Sequence, residues 1–387
     1  MDPFLSSFET TALSSHATLH SVQEESRKKL KNISLKELPA LRGVSLRHLY
    51  ADPFRLAVQE DIEHTNGNLV FVNGYFDPSL SSIPEGVICS FLEDAFGTHS
   101  AFLQAHLKRF VKQEEDPFVL LNLVLNVRAA FVYIPKNKKT SLKIVYVQSG
   151  QTQQVVAPRV HLIVGQHSEV ECTVKTEGEG SHLQLPVIDA ICEEGSSCRV
   201  FNLAQGTHLI DALRVQVRKG ASFKAVYFTR GGKTCRLSYD IALKEEQASA
   251  DISGLTLLDK NFSAHAYGQI AHRAPHTHSM QKFKSVLDGV SRFGYSGKIV
   301  VDPIAQKTQA YQLNKTLLLS PHAIVTSEPN LEIRADDVKA SHGSTISQLS
   351  PLEMFYLKTR GIDEIEGKQL LLKGFCDEIL SQLESFL

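Results

Sequence analysis

The chain of 387 residues lacks several features that would place it in a simple class of protein. Its six cysteines form no C-x-x-C pair, which argues against a disulfide scaffold and against a zinc ribbon. The formal net charge is −1, so the overall charge gives no indication of binding to nucleic acid or to an anionic membrane surface. We therefore expect reduced, mostly buried thiols, and neutral macromolecules or small ligands as partners.

Long apolar runs are also missing. No stretch reaches the roughly 18 apolar residues of a membrane-spanning helix. The first residues, MDPFLSSFETTALSSHATLH, contain no basic segment followed by an apolar run. We therefore expect a cytoplasmic protein without membrane contact. The length is sufficient for a sizeable core in two or three structural units, or in one elongated unit with appendages.

Helical periodicity dominates the first part of the chain. Apolar residues recur every three or four positions in SVQEESRKKLKNISLKELPALRG and in FLEDAFGTHSAFLQAHLKRFVKQ, and Asp116-Pro117 predicts a helix boundary. Between these segments, Asn73-Gly74 separates two alternating apolar runs and predicts a tight hairpin turn. We predict a mostly helical N-terminal domain over residues 1–118.

The middle of the chain changes to short strands rich in β-branched residues, such as LKIVYVQ, VHLIVG and FKAVYFTR, from Val119 to about Ile346. Three similar segments begin at Gly165, Gly195 and Gly220, and their steps of about 30 and 25 residues are typical of stacked coils in a solenoid. The pattern predicts a mainly β protein with a parallel β-helix core over residues 119–348. An ordinary β-sandwich with glycine turns stays open as the alternative.

The last forty residues are again helical in pattern. Ser350-Pro351-Leu352-Glu353 combines a capping box with proline at the first helical position, and Gly361 predicts the end of that helix. A second helix follows Asp363, and we predict a C-terminal helical domain over residues 349–387. Its apolar stripe could dock onto the body of the chain or onto a partner. The stripe consists of Leu372, Phe375, Ile379, Leu383 and Phe386.

Histidines are the candidate metal ligands. His342 lies among small residues in DDVKASHGSTIS, which leave room for a metal ion or for a second chain. A second cluster in AHRAPHTHS could supply further imidazoles, although Pro275 favours a bend and no carboxylate or cysteine lies beside it. For every member the alternative is an imidazole that is hydrogen-bonded in a structural turn. The cluster consists of His272, His276 and His278.

Several stretches resemble the SufB/SufD family of iron-sulfur cluster assembly proteins. They are NLVFVNGYFDPSLSSIPEG, FVYIPKN, HRAPHTHSMQKFKSVLDGVSRFGYSGKIVVDPIAQKTQAYQLNKTLLLS, EPNLEIRADDVKASHGST and FYLKTRGI. The first stretch, the short N-terminal lobe and the absence of C-x-x-C are similar to the SufD branch rather than to the SufB branch. The resemblance implies a right-handed parallel β-helix flanked by N-terminal and C-terminal helical domains.

The function implied by this resemblance is that of a non-catalytic scaffold subunit of a SufBCD complex. Such a subunit pairs with a SufB-type subunit through the C-terminal part of the β-helix and docks a SufC-type ATPase through the C-terminal helical domain. ATP hydrolysis then belongs to the partner, which agrees with the absence of a G-x-x-x-x-G-K-[ST] loop. The implied cofactor is a transient iron-sulfur cluster, or iron, shared with the partner, and flavin binding stays open.

By the same resemblance His342 is the candidate iron or cluster ligand at the subunit interface. Many SufD-type relatives have cysteine two positions earlier, on the same face of a strand, where this chain has Ala340. Thiolate ligands would then come from the SufB-type partner. Three alternatives remain, namely a purely structural subunit of that complex, a SufB-like scaffold that forms a homodimer, and a β-helix enzyme acting on polysaccharides.

Overall fold

Most strands of the chain pair in parallel with a strand roughly one coil, about 30 residues, away. The computed structural model describes residues 2–8, 11, 13–33, 35, 54–57, 65–126, 128–150, 153–178, 180–203 and 205–384. Within these ranges the strands form a parallel β-solenoid of about seven turns, with helices near both termini. The predicted mainly β, parallel β-helix architecture is confirmed, and the β-sandwich alternative does not hold because the long strands run parallel. No helix in these ranges is long and apolar enough to cross a membrane.

The described elements follow one another in this order. The helices are α1 Pro3–Ser6, α2 Ala17–Lys31, α3 Leu92–Gln113, α4 Pro117–Leu125, α5 Pro351–Thr359 and α6 Glu364–Glu384. The strands are β1 Arg55–Leu56, β2 Leu69–Val72, β3 Tyr75–Phe76, β4 Ile88–Phe91, β5 Ala130–Ile134, β6 Lys139–Gln148, β7 Gln154–Val156, β8 Arg159–Val164, β9 Glu169–Gly178, β10 Leu183–Gln184, β11 Val187–Cys192, β12 Ser197–Leu203, β13 His208–Val217, β14 Ser222–Arg230, β15 Thr234–Leu243, β16 Ser249–Leu258, β17 Ser263–His272, β18 His278–Leu287, β19 Arg292–Val301, β20 Gln309–Leu318, β21 Ile324–Ile333 and β22 Lys339–Gln348.

Each coil contributes one strand to each of two sheets. The first sheet has the order β21-β19-β17-β15-β13-β11-β8-β5-β4, with β1, β7 and β10 attached beside β13, and the second has the order β22-β20-β18-β16-β14-β12-β9-β6-β2-β3. Alternate side chains of both sheets meet inside the solenoid, where they form a continuous apolar core.

The glycine-led segments are successive strands of the second sheet. Ser197 of β12 is in register with Glu169 of β9 and with Ser222 of β14, so the three similar segments stack as the repeat predicts. The glycines lie at the corners that precede these strands. Gly195 and Gly220 have φ of 65° and 61°, a left-handed backbone that glycine adopts without steric cost.

One boundary predicted from the sequence is wrong. Residues 119–125 belong to helix α4, so the predicted run of strands starts at Ala130 and not at Val119, whereas β2 and β4 of the predicted helical domain already pair with strands of the solenoid. Asp116 caps this helix by accepting a hydrogen bond from the Phe118 N–H at 3.0 Å, and Pro117 occupies its first turn. The division of the chain into domains at residues 118 and 348 stays a prediction.

A buried ion network attaches helices α3 and α4 to the outer face of the first sheet. Arg214 on β13 binds Glu114 through two hydrogen bonds of 2.7 and 3.0 Å, and Arg236 on β15 binds Asp116 at 2.6 Å. Burial raises the pKa of Asp116, but the guanidinium groups of Arg236 and Arg214 outweigh burial, and the net shift is downward. These bidentate and charge-assisted contacts fix the helices in one position on the sheet.

Helix α6 covers the outer face of the second sheet. Ile379 and Leu383 are buried against Val226 and Leu255 of the solenoid, so the predicted apolar stripe packs on the chain's own body. Phe386 lies outside the described residues. The predicted start and end of the preceding helix are also confirmed, because Ser350 caps α5 and Gly361 follows it with φ of 82°.

An acidic group inside the solenoid predicts a pH-dependent stability. Asp211 lies on the inner face of β13, where Asn202 Nδ2 donates to its Oδ2 at 2.6 Å. Burial raises the pKa of Asp211 from 3.8 to about 7, although the hydrogen bond from Asn202 acts in the opposite direction. The folded state therefore keeps a proton that the unfolded chain releases between about pH 4 and 7, and stability falls as the pH rises through that window.

We expect Asp211→Asn, which carries no ionisable group, to be more stable than the wild type at pH 8 by up to about 4 kcal/mol, the free energy that corresponds to a shift of roughly three pKa units. At pH 4 the two proteins should unfold at nearly the same urea concentration, because Asp211 is then protonated in the folded state and about half protonated in the unfolded state, which leaves a difference below about 1 kcal/mol. Urea unfolding at both pH values measures the difference. A gain of the same size at both values would contradict this assignment.

Candidate functional site

The two ends of the solenoid are built differently. At the N-terminal end the outermost strands pair in the antiparallel direction, β4 with β5 and β3 with β2. Asn73 and Gly74 form the turn between β2 and β3 with φ of 50° and 88°, which confirms the predicted hairpin. At the C-terminal end β21 and β22 each have one neighbouring strand, so both present an unpaired edge.

Proline interrupts the edge of β21. The N–H groups of Ile324 and Arg334 donate inward to Ser291 and Val301 of the preceding coil. Because successive N–H groups of a strand point to opposite sides, the odd-numbered residues between them face the open edge. One of these is Pro329, which has no N–H group. This edge is therefore a poor template for an additional strand.

The edge of β22 is continuous. The N–H group of Lys339 donates inward to the Thr308 carbonyl at 2.8 Å, so the even-numbered residues of β22 direct their N–H groups outward. These residues include no proline, and several have small side chains. The residues whose backbone N–H groups face outward are Ala340, His342, Ser344, Ile346 and Gln348.

The side chain of His342 lies at the mouth of the solenoid. Its neighbours on the same face of the strand point inward, since Ala340 packs against the small buried cluster around Val301 and Ser344 Oγ donates to Ser327 Oγ at 2.8 Å. Among the described residues no further coil covers this layer, and His342 is exposed. Within the described residues its ring makes no hydrogen bond, so an imidazole nitrogen is accessible to a ligand or to a partner.

The other histidine cluster is not arranged as a metal site. His272 is completely buried, with Nδ1 at 2.8 Å from Thr277 Oγ1 and Nε2 at 2.8 Å from Ser279 Oγ. Burial, with a smaller contribution from His278, lowers the pKa of His272 to about 3. Two hydroxyl partners thus hold a neutral imidazole inside the core, the structural alternative that the sequence left open.

His276 and His278 have different surroundings from His272. His276 occupies a corner of the solenoid with φ of 57°, and its N–H donates to the Gln306 carbonyl of the next coil. Gln247 and Lys307 occupy the same kind of corner with φ of 60°. His278 begins β18 and is exposed. In the part of the chain that the structure describes, these histidines belong to no group of three convergent ligands.

A group of His106, His161 and Asp189 does converge, and the sequence analysis missed it. His106 Nε2 on α3 and His161 Nδ1 on β8 lie 2.8 and 3.2 Å from Asp189 Oδ2 on β11. The signal available in the sequence was a polar residue at an alternate position of each apolar strand, in RVHLIV and VIDAIC.

This convergent group is better suited to hold a helix than a metal ion. Arg159 Nε donates to His161 Nε2 at 3.0 Å, so the proton of the neutral ring lies on Nδ1, the nitrogen that a metal would need. Burial lowers the pKa of His161 to about 4, in agreement with a neutral ring. The Arg159 guanidinium, stacked over Phe110, would also repel a cation. The group links α3 to the first sheet.

The described cysteines are free, and all but Cys89 are buried. Burial raises the pKa of the Cys89 and Cys235 thiols to about 12. Both remain protonated at neutral pH, and neither lies beside His342. The predicted buried thiols are therefore confirmed for most positions, and the chain offers no exposed thiolate at the mouth of the solenoid in the described residues.

Helix α5 and the start of α6 expose an apolar surface. Leu352, Phe355 and Ile365 are 76%, 64% and 73% exposed, although helix α6 as a whole is docked on the solenoid. Leu352 and Phe355 line a groove together with Tyr356 and Leu371. Large apolar side chains grouped in this way are typical of a protein-binding surface.

Comparisons with known proteins identify related sequences. The family model described as "SUF system FeS cluster assembly, SufBD core domain" matches residues 146–375, and the model "SufBD protein N-terminal region" matches residues 54–145. An iron-sulfur cluster assembly SufBD family protein of Synechocystis sp. is 29% identical over 374 residues, which cover 90% of this chain and 81% of the relative.

Relatives with the names of both branches are found. The iron-sulfur cluster assembly protein SufD of Escherichia coli is 31% identical over 156 residues, which cover 40% of this chain and 37% of that protein. The iron-sulfur cluster assembly protein SufB of Bacillus subtilis is 22% identical over 307 residues, which cover 77% of this chain and 66% of that protein. These matches establish the family, but they do not distinguish between the SufB and SufD branches.

Proposed function

The chain belongs to the SufB/SufD family of iron-sulfur cluster assembly proteins, and from this premise we propose that it is a cytoplasmic, non-catalytic SufD-type scaffold subunit. The observation that carries the proposal is the open C-terminal end of the solenoid, where β22 offers a continuous edge and His342 an exposed imidazole. One place on the molecule thus combines a surface for a second chain with a ligand for iron.

A SufB-type subunit is the partner proposed for this end. The outward N–H and C=O groups of β22 need hydrogen-bond partners, and an added strand supplies them at regular spacing. Small side chains such as Ala340, Gly343 and Ser344 allow another backbone to approach closely. A partner that is itself a β-solenoid of the same family has an edge of matching length.

Iron, or the nascent cluster, is the cargo proposed for His342. An imidazole nitrogen with no partner within the described chain is a suitable ligand for iron. Ala340 stands on the same face, at the position where a cysteine could supply a thiolate, and the thiols of Cys89 and Cys235 are protonated at neutral pH. Soft ligands would therefore come from the SufB-type subunit, and the interface would be a shared site.

The apolar surface of α5 is the proposed docking site for a SufC-type ATPase. Leu352, Phe355 and Ile365 are large apolar side chains that are exposed to solvent, and no residue of α5 is buried against the rest of the described chain. A conformational change of the bound ATPase could be transmitted to the scaffold through α6, which is docked on the second sheet.

A homodimeric, SufB-like scaffold is the second candidate. The observation that favours it is the match to the Bacillus subtilis SufB protein, which covers more of this chain than the match to the Escherichia coli SufD protein. Two copies joined edge to edge through β22 would each contribute a His342. We favour the scaffold over a polysaccharide-active enzyme because the carboxylates Glu114, Asp116 and Asp189 are already engaged by buried arginine and histidine side chains.

Replacing an outward N–H group tests the strand edge. Ile346→Pro removes a donor that faces the partner and leaves the inward ladder to β20 intact. We expect the affinity for a co-expressed SufB-type subunit to fall at least tenfold, measured by co-purification and titration. Ile346→Thr is the matched control, because it changes the side chain but keeps the donor. Equal binding by both variants would remove β22 from the interface.

Removal of the imidazole tests the cargo site. We expect His342→Ala to leave the complex assembled, because one imidazole contributes little to a large interface, while iron and acid-labile sulfide per complex fall about tenfold or more. The measurement is iron and sulfide content after anaerobic purification, with subunit stoichiometry determined on the same sample.

Two companion variants make the cargo test specific. Ala340→Cys restores a soft ligand on the same face and should leave the yield equal or higher. His272→Ala removes the buried imidazole and should reduce stability without a specific loss of iron. A normal iron and sulfide content in His342→Ala would leave only the structural role.

Polar substitutions on α5 test ATPase docking without uncovering the solenoid. We expect the double variant Leu352→Ser and Phe355→Ser to lose co-purification of the ATPase, because truncated apolar anchors typically cost more than a tenfold change in affinity. Leu370→Ser is the control, since Leu370 is 45% exposed on α6 but does not line the groove. Retention of the ATPase by the double variant would exclude this surface.

A further inference from the structure

A chain of hydrogen bonds inside the last coils has one fixed direction. Gln281 Nε2 donates to the Lys298 carbonyl at 3.2 Å, and because a carbonyl can only accept, the orientation of the Gln281 amide is determined. Its Oε1 therefore faces inward and accepts from Tyr239 Oη–H at 2.6 Å. This group anchors the polar layer above it.

The same direction continues to Gln312, one coil closer to the open end. Gln281 Oε1 can only accept, so the nearest atom of Gln312 must be its Nε2, which donates to that oxygen at 3.4 Å and to Tyr295 Oη at 2.8 Å. Gln312 Oε1 then has no hydrogen-bond partner among the described residues, although the residue is only 3% exposed. A buried amide oxygen without a donor is uncommon in native structures.

Local packing keeps this amide in place. A Cβ atom at Gly297 would lie 2.1 Å from Gln312 Nε2 and 2.3 Å from Tyr295 Oη, so glycine is required there for the layer to exist. The Tyr295 hydroxyl and the Gln281 amide hold the Nε2 side of Gln312. Gln312 Oε1 therefore lies on the opposite side of this amide, without a partner among the described residues.

The residue in register with Gln312 on the next strand is His342. Side chains in register on adjacent parallel strands lie on the same face, with backbones about 4.8 Å apart. Nearby polar groups have other partners, because Ser344 and Ser327 are bonded to each other. Asn314 Oδ1 is also unpaired, but Asn314 is in register with Ser344 and not with His342.

We propose that Gln312 is a positioning residue whose Oε1 accepts a hydrogen bond from a ring N–H of His342 when the exposed ring turns toward it, a bond that the ring does not make in its present conformation. The bond holds the imidazole in one tautomer and turns the lone pair of the other nitrogen toward the open end of the solenoid. Ligating histidines commonly use their second nitrogen in this way, and loss of such a partner typically weakens metal affinity 10-fold to 100-fold. The role in ligation rests on the proposed function, whereas the hydrogen bond itself does not.

Nuclear magnetic resonance of the full chain labelled with ¹⁵N-histidine tests the hydrogen bond without any cluster. A ring N–H bonded to a buried oxygen exchanges slowly with water, so we expect an observable ring N–H proton for His342, assigned by its disappearance in His342→Ala. Gln312→Met, which conserves volume, should abolish the signal, and Gln312→Glu, which restores an acceptor, should recover it.

Asn314→Leu is the matched control, since it removes a neighbouring buried amide that is in register with Ser344 and leaves both Gln281 and the Gln312 oxygen in place. If both variants lost stability but only Gln312→Met lost the signal, the loss of the signal would be specific to the Gln312 oxygen and would not be a consequence of lower stability. Absence of the signal in the wild type, or its persistence in Gln312→Met, would overturn the proposal.

Iron content of the co-purified complex distinguishes this inference from the proposed function. Loss of iron and sulfide in both His342→Ala and Gln312→Met, with normal content in Asn314→Leu, supports a positioning role. Loss in His342→Ala with normal content in Gln312→Met overturns the positioning role and retains His342 as a ligand. Normal content in all variants leaves the hydrogen bond as a structural feature and contradicts the ligand function itself.

Discussion

A stack of parallel strands satisfies the backbone of every strand except those at its ends, and this constraint determines how the chain is organised. The antiparallel strands β3 and β4 close the N-terminal end. No element of the described chain closes the C-terminal end, where β21 is interrupted by Pro329 and β22 is not. Because unpaired strand edges promote association, a chain that keeps one continuous edge next to one interrupted edge directs a partner to a particular strand.

Helices α3 and α4 must be held in one position on the outer face of the first sheet. Arg214 and Arg236 reach from the first sheet to Glu114 and Asp116, and Asp189 reaches to His106. Buried ion pairs gain little net stability, since desolvation offsets most of the attraction, but they penalise every alternative position of the helix. Helix α6 is fixed on the second sheet in a similar way, because Lys284 on β18 pairs with Glu378 at 2.7 Å and donates to the Phe375 carbonyl at 2.8 Å, in addition to the apolar contacts.

Much of the fold could be predicted from local signals, because each signal had a local cause. Gly195 and Gly220 mark corners with left-handed backbone, and Ser350 and Gly361 mark helix ends. The error at residues 119–125 has an equally local reason. The run PFVLLNLVL is apolar at every position except Asn122, and such a run fits a buried helix as well as a buried strand. The proline interpreted as the end of one helix also begins the next.

The candidate site was less accessible to sequence reasoning, because its properties come from pairing between distant segments. His272 looked like a ligand in a histidine-rich stretch, and only the structure brings Thr277 and Ser279 onto its two nitrogens. His106 and Asp189 are far apart in sequence, so no spacing indicates their contact. The position of His342 beside Gln312 likewise follows from strand register, which a single sequence with loose repeats does not specify.

One interior column shows how the solenoid changes character toward its open end. In-register residues on successive coils of the second sheet are apolar through most of the stack and polar in its last layers. An apolar column that ended at an uncovered coil would expose apolar side chains to solvent, whereas amide and imidazole groups can hydrogen-bond to water and can also bind a partner. The end of the solenoid therefore does not require a cap in order to be stable, and its polarity is available for function. The column consists of Leu142, Cys172, Val200, Ala225, Ile252, Gln281, Gln312 and His342.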